Sequence, residues 1–233
     1  MPETNFLREN LSEMHRRIES AAHRVGRNPN EITLISVSKT FPVDVLQNAI
    51  AAGATDLGEN KVQEAETKVA EIGRDKARWH LIGNLQANKA RKAVRTFDLI
   101  HTLDSVDLAQ RLERICAEEK RESLEVLIQI DLAHETTKSG IDERDLPQLV
   151  ETLRNCEHLK LRGLMIIPPF LEDVEKIRPY FKRLREIRND IFENERAELS
   201  MGMTNDFETA IEEGATMIRV GTAIFGRRTK PQI

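Results

Sequence analysis

The chain has 233 residues, and 39 acidic against 35 basic side chains leave a formal net charge of −4 at pH 7. Its length fits one full-sized domain or two small ones, and 39% hydrophobic with 32% charged residues excludes a disordered or membrane-embedded chain. The slightly acidic balance argues against a dedicated nucleic-acid-binding protein, which usually carries a marked basic excess.

The first predicted element is an amphipathic helix over about residues 4–26, in which apolar side chains recur at steps of three and four. This charged segment lacks the apolar core of a signal peptide, so we expect a cytoplasmic protein that does not bind a membrane. The two cysteines, Cys116 and Cys156, fit neither a metal-binding spacing nor a disulfide framework.

Eight short apolar segments follow and alternate with longer helical patterns. Several are rich in Val, Ile and Leu, as is typical of strands buried on both faces of a parallel sheet. The predicted strands are 32–39, 56–60, 79–83, 99–103, 125–131, 161–167, 198–203 and 217–226. The predicted helices between them include 43–52, 62–72, 105–120, 144–154, 174–192 and 206–213.

This alternation predicts an α/β fold, a compact (β/α)8 TIM barrel over about residues 31–228. An open, doubly wound sheet is the alternative, although the GxGxxG sequence of its dinucleotide-binding version follows no early strand. No linker or low-complexity segment divides the chain, so we expect a single domain over residues 1–233.

In such a barrel the functional residues lie where strands end. Lys39 ends the apolar strand that begins at Ile32, and burial at a barrel mouth lowers the pKa of a lysine, as a Schiff-base lysine requires. The alternative is a lysine that reaches solvent or pairs with an acid such as Glu59.

The last two strands indicate an anion site. Ser200 lies in the seventh strand, and Arg219, Gly221 and Thr222 lie in the eighth. The loops after these two strands form the usual phosphate site of this fold, with backbone N–H groups and hydroxyls as donors. The alternative is that Gly221 relieves a strand kink and that the hydroxyls cap locally.

Other polar residues are weaker candidates. His80, beside Trp79, is more typical of a packed or capping histidine than of a catalyst, and no HxH or HExxH sequence indicates a metal site. The basic residues between Lys89 and Arg95 form one helix face that we expect to be solvated. Tyr180, the single tyrosine, lies in a charged helix and is expected to pack.

The ordered sequence blocks resemble the pyridoxal phosphate homeostasis proteins, the YggS/PROSC-type family related to the N-terminal barrel of alanine racemase. The resemblance covers essentially the whole chain. It is carried by Val-Ser-Lys-Thr at 37–40, Gly-Glu-Asn-Lys-Val-Gln-Glu at 58–64, Trp-His-Leu-Ile-Gly-Asn-Leu-Gln-Ala-Asn-Lys at 79–89, Lys-Ser-Gly at 138–140, Gly-Leu-Met at 163–165, Leu-Ser-Met-Gly-Met at 199–203 and Arg-Val-Gly-Thr at 219–222.

The resemblance implies a barrel of the alanine racemase N-terminal type, with an extra N-terminal helix, that binds pyridoxal 5′-phosphate. It implies that Lys39 forms the internal aldimine and that Arg219 faces the pyridine nitrogen. Three residues would hold the phosphate, namely Ser200, Gly221 and Thr222. Three more would line the pocket around the ring, namely Asn60, His80 and Met201. The sequence departs from the family pattern, or varies within it, at 166–169 and 204–206.

The resemblance also implies a cofactor-binding protein without an established reaction. Alanine racemases of this architecture use a second base, a tyrosine from a separate β domain, whereas only residues 227–233 follow the predicted eighth strand here. We therefore expect a non-catalytic monomer that buffers pyridoxal phosphate or delivers it to apo-enzymes, and so contributes to vitamin B6 homeostasis. The alternatives are a weak one-base amino-acid racemase and a Schiff-base aldolase.

Overall fold

The computed structural model describes residues 3–133, 139–193 and 196–226, and these contain a closed barrel of eight parallel strands. Each strand pairs with the next along the chain, and the eighth pairs with the first. The strands are β1 (Thr33–Val37), β2 (Asp56–Glu59), β3 (Arg78–Leu81), β4 (Leu99–Leu103), β5 (Leu124–Gln129), β6 (Leu159–Met165), β7 (Glu198–Ser200) and β8 (Met217–Val220).

Helices surround the barrel and connect its strands. They are α1 (Thr4–Arg24), α2 (Val43–Ala51), α3 (Val62–Ile72), α4 (Ala90–Thr96), α5 (Val106–Glu118), α6 (Leu146–Arg154), α7 (Arg178–Phe192), α8 (Phe207–Glu212) and α9 (Thr222–Phe225). The predictions of a (β/α)8 barrel and of a leading helix are therefore confirmed.

The strands separate two apolar cores, because successive side chains point to opposite faces. A small cluster fills part of the barrel interior and contains Ile35, Leu99, Leu127, Met165 and Met217. The alternate positions, such as Leu34, Leu57 and Leu164, belong to a much larger core shared with the helices. Polar side chains of the strands can therefore enter the interior only from residues that point inward, and several such residues belong to the candidate site.

The leading helix packs its apolar stripe onto the last part of the barrel. Leu7, Leu11, Met14 and Ile18 are buried, and the contacts of α1 are mainly with α8 and α9. Arg17 lies 4.6 Å from the centre of the Phe207 ring, a cation–π arrangement that joins α1 to α8. Helix α1 thus supports the segment that follows β7.

The predicted eighth strand, 217–226, was too long. The strand ends at Val220, and Thr222–Phe225 forms the short helix α9. A run of apolar residues such as Ala223, Ile224 and Phe225 fits a strand or a helix equally well, so periodicity could not separate the two.

The predicted helix 174–192 is two elements. A 3-10 turn, Val174–Lys176, precedes α7, and Pro179 stands in the first turn of that helix. Proline is tolerated there because the first N–H groups of a helix have no partner within it.

Three sequence features fall partly or wholly outside the described residues: the barrel boundary at 228, the residues 227–233, and Lys138. Across the described ranges, no helix is long and apolar enough to cross a membrane.

Candidate functional site

A cavity of about 290 Å3 opens at the ends of the strands where Lys39 lies. Five of the eight predicted site residues line it: Lys39, Asn60, Arg219, Gly221 and Thr222. These residues follow or end β1, β2 and β8, which are neighbours in the barrel. The closed sheet therefore brings together residues that are 180 positions apart in the sequence.

Lys39 reaches this cavity because of the alternation of β1. Ile35 and Val37 are the inward residues of the strand, and Lys39 comes next on the same face. Its side chain is half-buried. The following residue, Thr40, has a positive φ of 69°, which is an uncommon conformation for a β-branched residue. The Thr40 N–H donates to Glu64 Oε1 at 2.5 Å, so α3 holds the corner that carries Lys39.

Glu59, the acid considered as a partner for Lys39, points to the opposite face of the sheet. Its Oε1 accepts from Ser38 Oγ at 2.6 Å and from Lys68 Nζ at 2.7 Å. Burial raises the pKa of Glu59, while Lys68 and the Ser38 hydroxyl oppose that rise. The structure thus places Lys68 of α3, on the outer side of the barrel, against Glu59.

Arg219 supplies a buried positive charge to the cavity. The residue is 4% exposed, its Nη1 donates to Ser200 Oγ at 2.6 Å, and its Nη2 donates to the Ile166 carbonyl at 2.8 Å. Burial lowers the pKa of Arg219 to about 10, so the guanidinium stays charged at neutral pH. Because arginine only donates hydrogen bonds, its guanidinium can bind a ligand atom that carries a lone pair and accepts a hydrogen bond.

The segment after β8 supplies backbone donors. Gly221 precedes the first residue of α9, and Gly221 and Thr222 both line the cavity. A Cβ atom on Gly221 would lie 3.3 Å from the Val37 carbonyl oxygen, so glycine permits the close approach of this turn to β1. The first N–H groups of a helix have no partner within it and can bind an anion.

Asn60 is placed by a second close approach. A Cβ atom on Gly83 would lie 2.3 Å from the Asn60 carbonyl oxygen, which only glycine avoids. The half-buried Asn60 therefore sits directly against the turn after β3 and lines the cavity beside Lys39.

The structure places the other three predicted residues deeper. Ser200 is fully buried below Arg219, and His80 is fully buried inside the barrel. His80 Nε2 lies 2.9 Å from Asp56 Oδ1, and His80 Nδ1 lies 2.9 Å from His101 Nε2. Met201 is also fully buried, but its side chain belongs to the outer core shared with the helices.

Sequence reasoning missed several residues that line the cavity. Ile82 and Ile167 stand two positions beyond the inward residues His80 and Met165, so strand alternation was a usable signal for them. Met203 and Thr204 lie in the loop between β7 and α8, where no periodicity indicates the direction of a side chain. Together the isoleucines and Met203 give the cavity apolar walls.

The basic face of α4 is engaged in ion pairs. Arg91 and Arg95 both contact Glu119, which follows α5, and Lys92 contacts Glu66 of α3. The face therefore joins neighbouring helices. Tyr180 lies on α7 and packs partly against the outer core, in agreement with the packing role expected for it.

Comparison with known proteins identifies the family. Residues 9–229 match the alanine racemase N-terminal domain. The chain is 40% identical over 223 residues to a pyridoxal phosphate homeostasis protein of Aquifex aeolicus, covering 94% of this chain and 97% of that one. It is 40% identical over 231 residues to the Escherichia coli (strain K12) protein of the same name, covering 96% and 97%.

A solved structure extends this likeness. PipY of Synechococcus elongatus PCC7942, determined with pyridoxal phosphate (PLP) bound, is 38% identical, with a TM-score of 0.80 and coverage of 94% of this chain and 100% of that chain. The chain belongs to the family of pyridoxal phosphate homeostasis proteins, built on the alanine racemase N-terminal barrel.

Proposed function

We propose that this protein binds pyridoxal phosphate reversibly through Lys39 and takes part in the homeostasis of that cofactor. The observation that carries the proposal is that Lys39 and the buried Arg219 line one cavity at the mouth of the barrel. PipY, a relative with pyridoxal phosphate bound, supports the identity of the ligand.

The residues present fit this group. Lys39 supplies a primary amine for a reversible Schiff base with an aldehyde. The turn at Gly221 and Thr222 supplies N–H and hydroxyl donors for a phosphate. Ile82, Ile167 and Met203 supply apolar walls for an aromatic ring, with Asn60 beside Lys39.

Arg219 favours a holding role over a catalytic one. Pyridoxal phosphate supplies an electron sink to enzymes that break bonds at the α carbon of amino acids. A charged arginine, which cannot accept a hydrogen bond from a protonated pyridine nitrogen, disfavours the protonated ring that makes this sink effective. We therefore propose a cytoplasmic, non-catalytic monomer that buffers pyridoxal phosphate or delivers it to apo-enzymes.

The binding proposal is tested by an absorbance spectrum of the purified protein with added pyridoxal phosphate, before and after borohydride reduction. We expect a visible band in the wild type that reduction removes, and no such band in Lys39→Ala. Lys61→Ala is the matched control, because Lys61 is an exposed lysine that precedes α3 near the same mouth. A band that persists in Lys39→Ala would assign the cofactor to another residue.

Delivery and catalysis need separate tests. Loaded protein mixed with an apo-enzyme should restore its activity, with an equal concentration of free pyridoxal phosphate as the reference. No restoration would contradict delivery.

Exchange of the α hydrogen of alanine in D2O, abolished by Lys39→Ala, would contradict the non-catalytic assignment and favour a one-base racemase. Light scattering on a sizing column tests the monomer.

A further inference from the structure

A chain of buried polar side chains crosses the barrel interior and ends at the cavity. It begins at Asp56 of β2, passes through His80 of β3 and His101 of β4, and reaches Ser200 of β7 and Arg219 of β8. The four links are Asp56 Oδ1 to His80 Nε2 at 2.9 Å, His80 Nδ1 to His101 Nε2 at 2.9 Å, His101 Nδ1 to Ser200 Oγ at 2.9 Å, and Ser200 Oγ to Arg219 Nη1 at 2.6 Å. The link between His101 and Ser200 spans the interior of the barrel.

With both imidazoles neutral, the two ends of this chain fix the direction of every hydrogen bond in it. A guanidinium only donates and a carboxylate only accepts, so Ser200 Oγ accepts from Arg219 while His80 Nε2–H donates to Asp56. His80 Nδ1 is then an acceptor, and His101 Nε2–H must be its donor. His101 Nδ1 accepts in turn from the Ser200 hydroxyl. Two neutral imidazoles in this arrangement each carry their proton on Nε2.

The surroundings favour these neutral forms. His80, His101 and Ser200 have no exposed surface. Burial lowers the pKa of both histidines, and at His80 the hydrogen bond to Asp56 and the charges of Asp56 and Asp98 oppose this only in part. His80 and Arg219 lower the pKa of His101 further, and Arg78 acts in the same direction on both rings.

The neutral rings leave the charge of Arg219 available to the cavity. A carboxylate hydrogen-bonded to the guanidinium would cancel most of its field, whereas here Nη1 donates to the Ser200 hydroxyl and Nη2 donates to the Ile166 carbonyl. Asp56 lies at the beginning of β2, away from Lys39, with 14% of its side chain exposed, and it also accepts from Thr55 Oγ1 at 2.8 Å. The Asp56 charge is thus kept remote from the binding end, where the charge of Asp206 partly opposes the lowering of the Arg219 pKa by burial.

We propose that Asp56, His80 and His101 are positioning residues which act through Ser200 to hold the Arg219 guanidinium at the cavity. The consequence for pyridoxal phosphate rests on the proposed function, but the chain itself does not. The residues of the chain can therefore be tested by two measurements, one on the protein without added cofactor and one on the loaded protein.

The first experiment is long-range 1H–15N correlation NMR of the ¹⁵N-histidine-labelled protein without added cofactor, with His80→Gln and His101→Gln used for assignment. We expect both rings as neutral Nε2–H tautomers at pH 7. An imidazolium at neutral pH, or an Nδ1–H tautomer at either ring, would overturn the directed chain. This result does not depend on cofactor binding.

The second experiment titrates the absorbance of the loaded protein with pH and measures its dissociation constant for pyridoxal phosphate. His101→Phe removes both nitrogens, and we expect the dissociation constant to rise about tenfold or more and the midpoint of the titration to move by about one pH unit. The amide of His101→Gln both donates and accepts hydrogen bonds. This variant should therefore recover part of the wild-type dissociation constant and part of the wild-type titration midpoint. Leu127→Met is the control, an apolar change in the same interior.

A loaded His101→Phe protein that matches Leu127→Met in both quantities would overturn the positioning role. If His101→Phe does not fold, Asp56 offers a milder pair at the exposed end of the chain. Asp56→Asn keeps an acceptor for His80 and should retain the wild-type titration, whereas Asp56→Leu should shift it, and equal behaviour of the two would contradict the proposal. If the wild type binds no pyridoxal phosphate, the proposed function fails, while the NMR result still shows whether the directed chain of hydrogen bonds exists.

Discussion

Lys68 places its ammonium 2.7 Å from Glu59 Oε1 and 3.0 Å from the carbonyl oxygen of Ser38, directly behind the strand end that carries Lys39. The same nitrogen lies 2.7 Å from Glu64 Oε1, which accepts the Thr40 N–H. One buried lysine on α3 therefore ties together the residues on both sides of Lys39. Its own charge faces away from the cavity.

Replacing Lys68 with methionine should destabilise the protein strongly. Lys68 is 4% exposed and Glu59 has no exposed surface, so the change leaves a buried carboxylate without its cation. Breaking one partner of a buried pair costs about 3–5 kcal/mol. Urea unfolding at pH 7 measures the loss. Lys92→Met is the matched control: Lys92 pairs with Glu66 across exposed surface, and such pairs contribute about 0–1 kcal/mol. Equal losses would contradict this interpretation.

The two methionines after β7 should separate stability from binding. Met201 has no exposed surface and packs in the outer core, so Met201→Ala should cost about 2–5 kcal/mol and leave the dissociation constant for pyridoxal phosphate unchanged. Met203 lines the cavity, so Met203→Ala should weaken binding with a smaller loss of stability. Urea unfolding and absorbance titration of both variants measure the contrast. Binding that is lost in Met201→Ala at full stability would instead place that side chain at the ring.

The barrel was predictable from the sequence because its strands are buried on both faces and its helices are amphipathic. Lys39 was predictable for a related reason, since a charged residue at the end of an apolar strand must face either solvent or a functional cavity, whereas the role of Arg219 was expected from the family resemblance. Their meeting in one cavity confirms that the strand ends share one edge.

The remaining features depend on contacts that periodicity does not encode. His101 stands within an apolar strand, and its partner Ser200 is 99 residues away, so the hydrogen bond between them is visible only in the folded barrel. The end of β8 was misplaced because Ala223, Ile224 and Phe225 suit a strand as well as the helix they form. Met201 and Met203 are two positions apart and would share a face in a strand. They point to different sides because the strand ends at Ser200 and its alternation does not continue beyond that residue.

Glu113 should make stability depend on pH in the acidic range. Burial alone would raise its pKa, but hydrogen bonds from the His158 side chain and from the backbone N–H groups of 157–159 outweigh it and lower the pKa below its ordinary value of 4.5. A lowered pKa in the folded state means that the contribution is fully present above about 4.5 and is lost as pH falls through the lower folded value.

Glu113→Gln should therefore be less stable than the wild type at pH 7 by about 1–3 kcal/mol, and the difference should shrink below pH 4.5. Urea midpoints of the two proteins at several pH values give the comparison. A difference that stays constant down to pH 3 would mean that the Glu113 carboxylate charge has no part in it.

Gly221→Ala should weaken binding more than it weakens the fold. Its Cβ would lie 3.3 Å from the carbonyl oxygen of Val37 and 3.4 Å from the Val37 Cβ, so the turn into α9 must shift by a few tenths of an ångström. Because the N–H groups of this turn are the proposed phosphate donors, we expect a dissociation constant about tenfold higher, with a stability loss below about 1.5 kcal/mol. Unchanged affinity would remove the turn from the site.

The most direct test of the central claim is to locate the covalent attachment. The protein is loaded with pyridoxal phosphate, reduced with borohydride, digested and analysed by mass spectrometry. We expect a single stoichiometric phosphopyridoxyl group on the peptide that contains Lys39, and none on that containing Lys61. A label spread over several surface lysines, or absent from Lys39 at full occupancy, would contradict the assignment of Lys39 as the anchor.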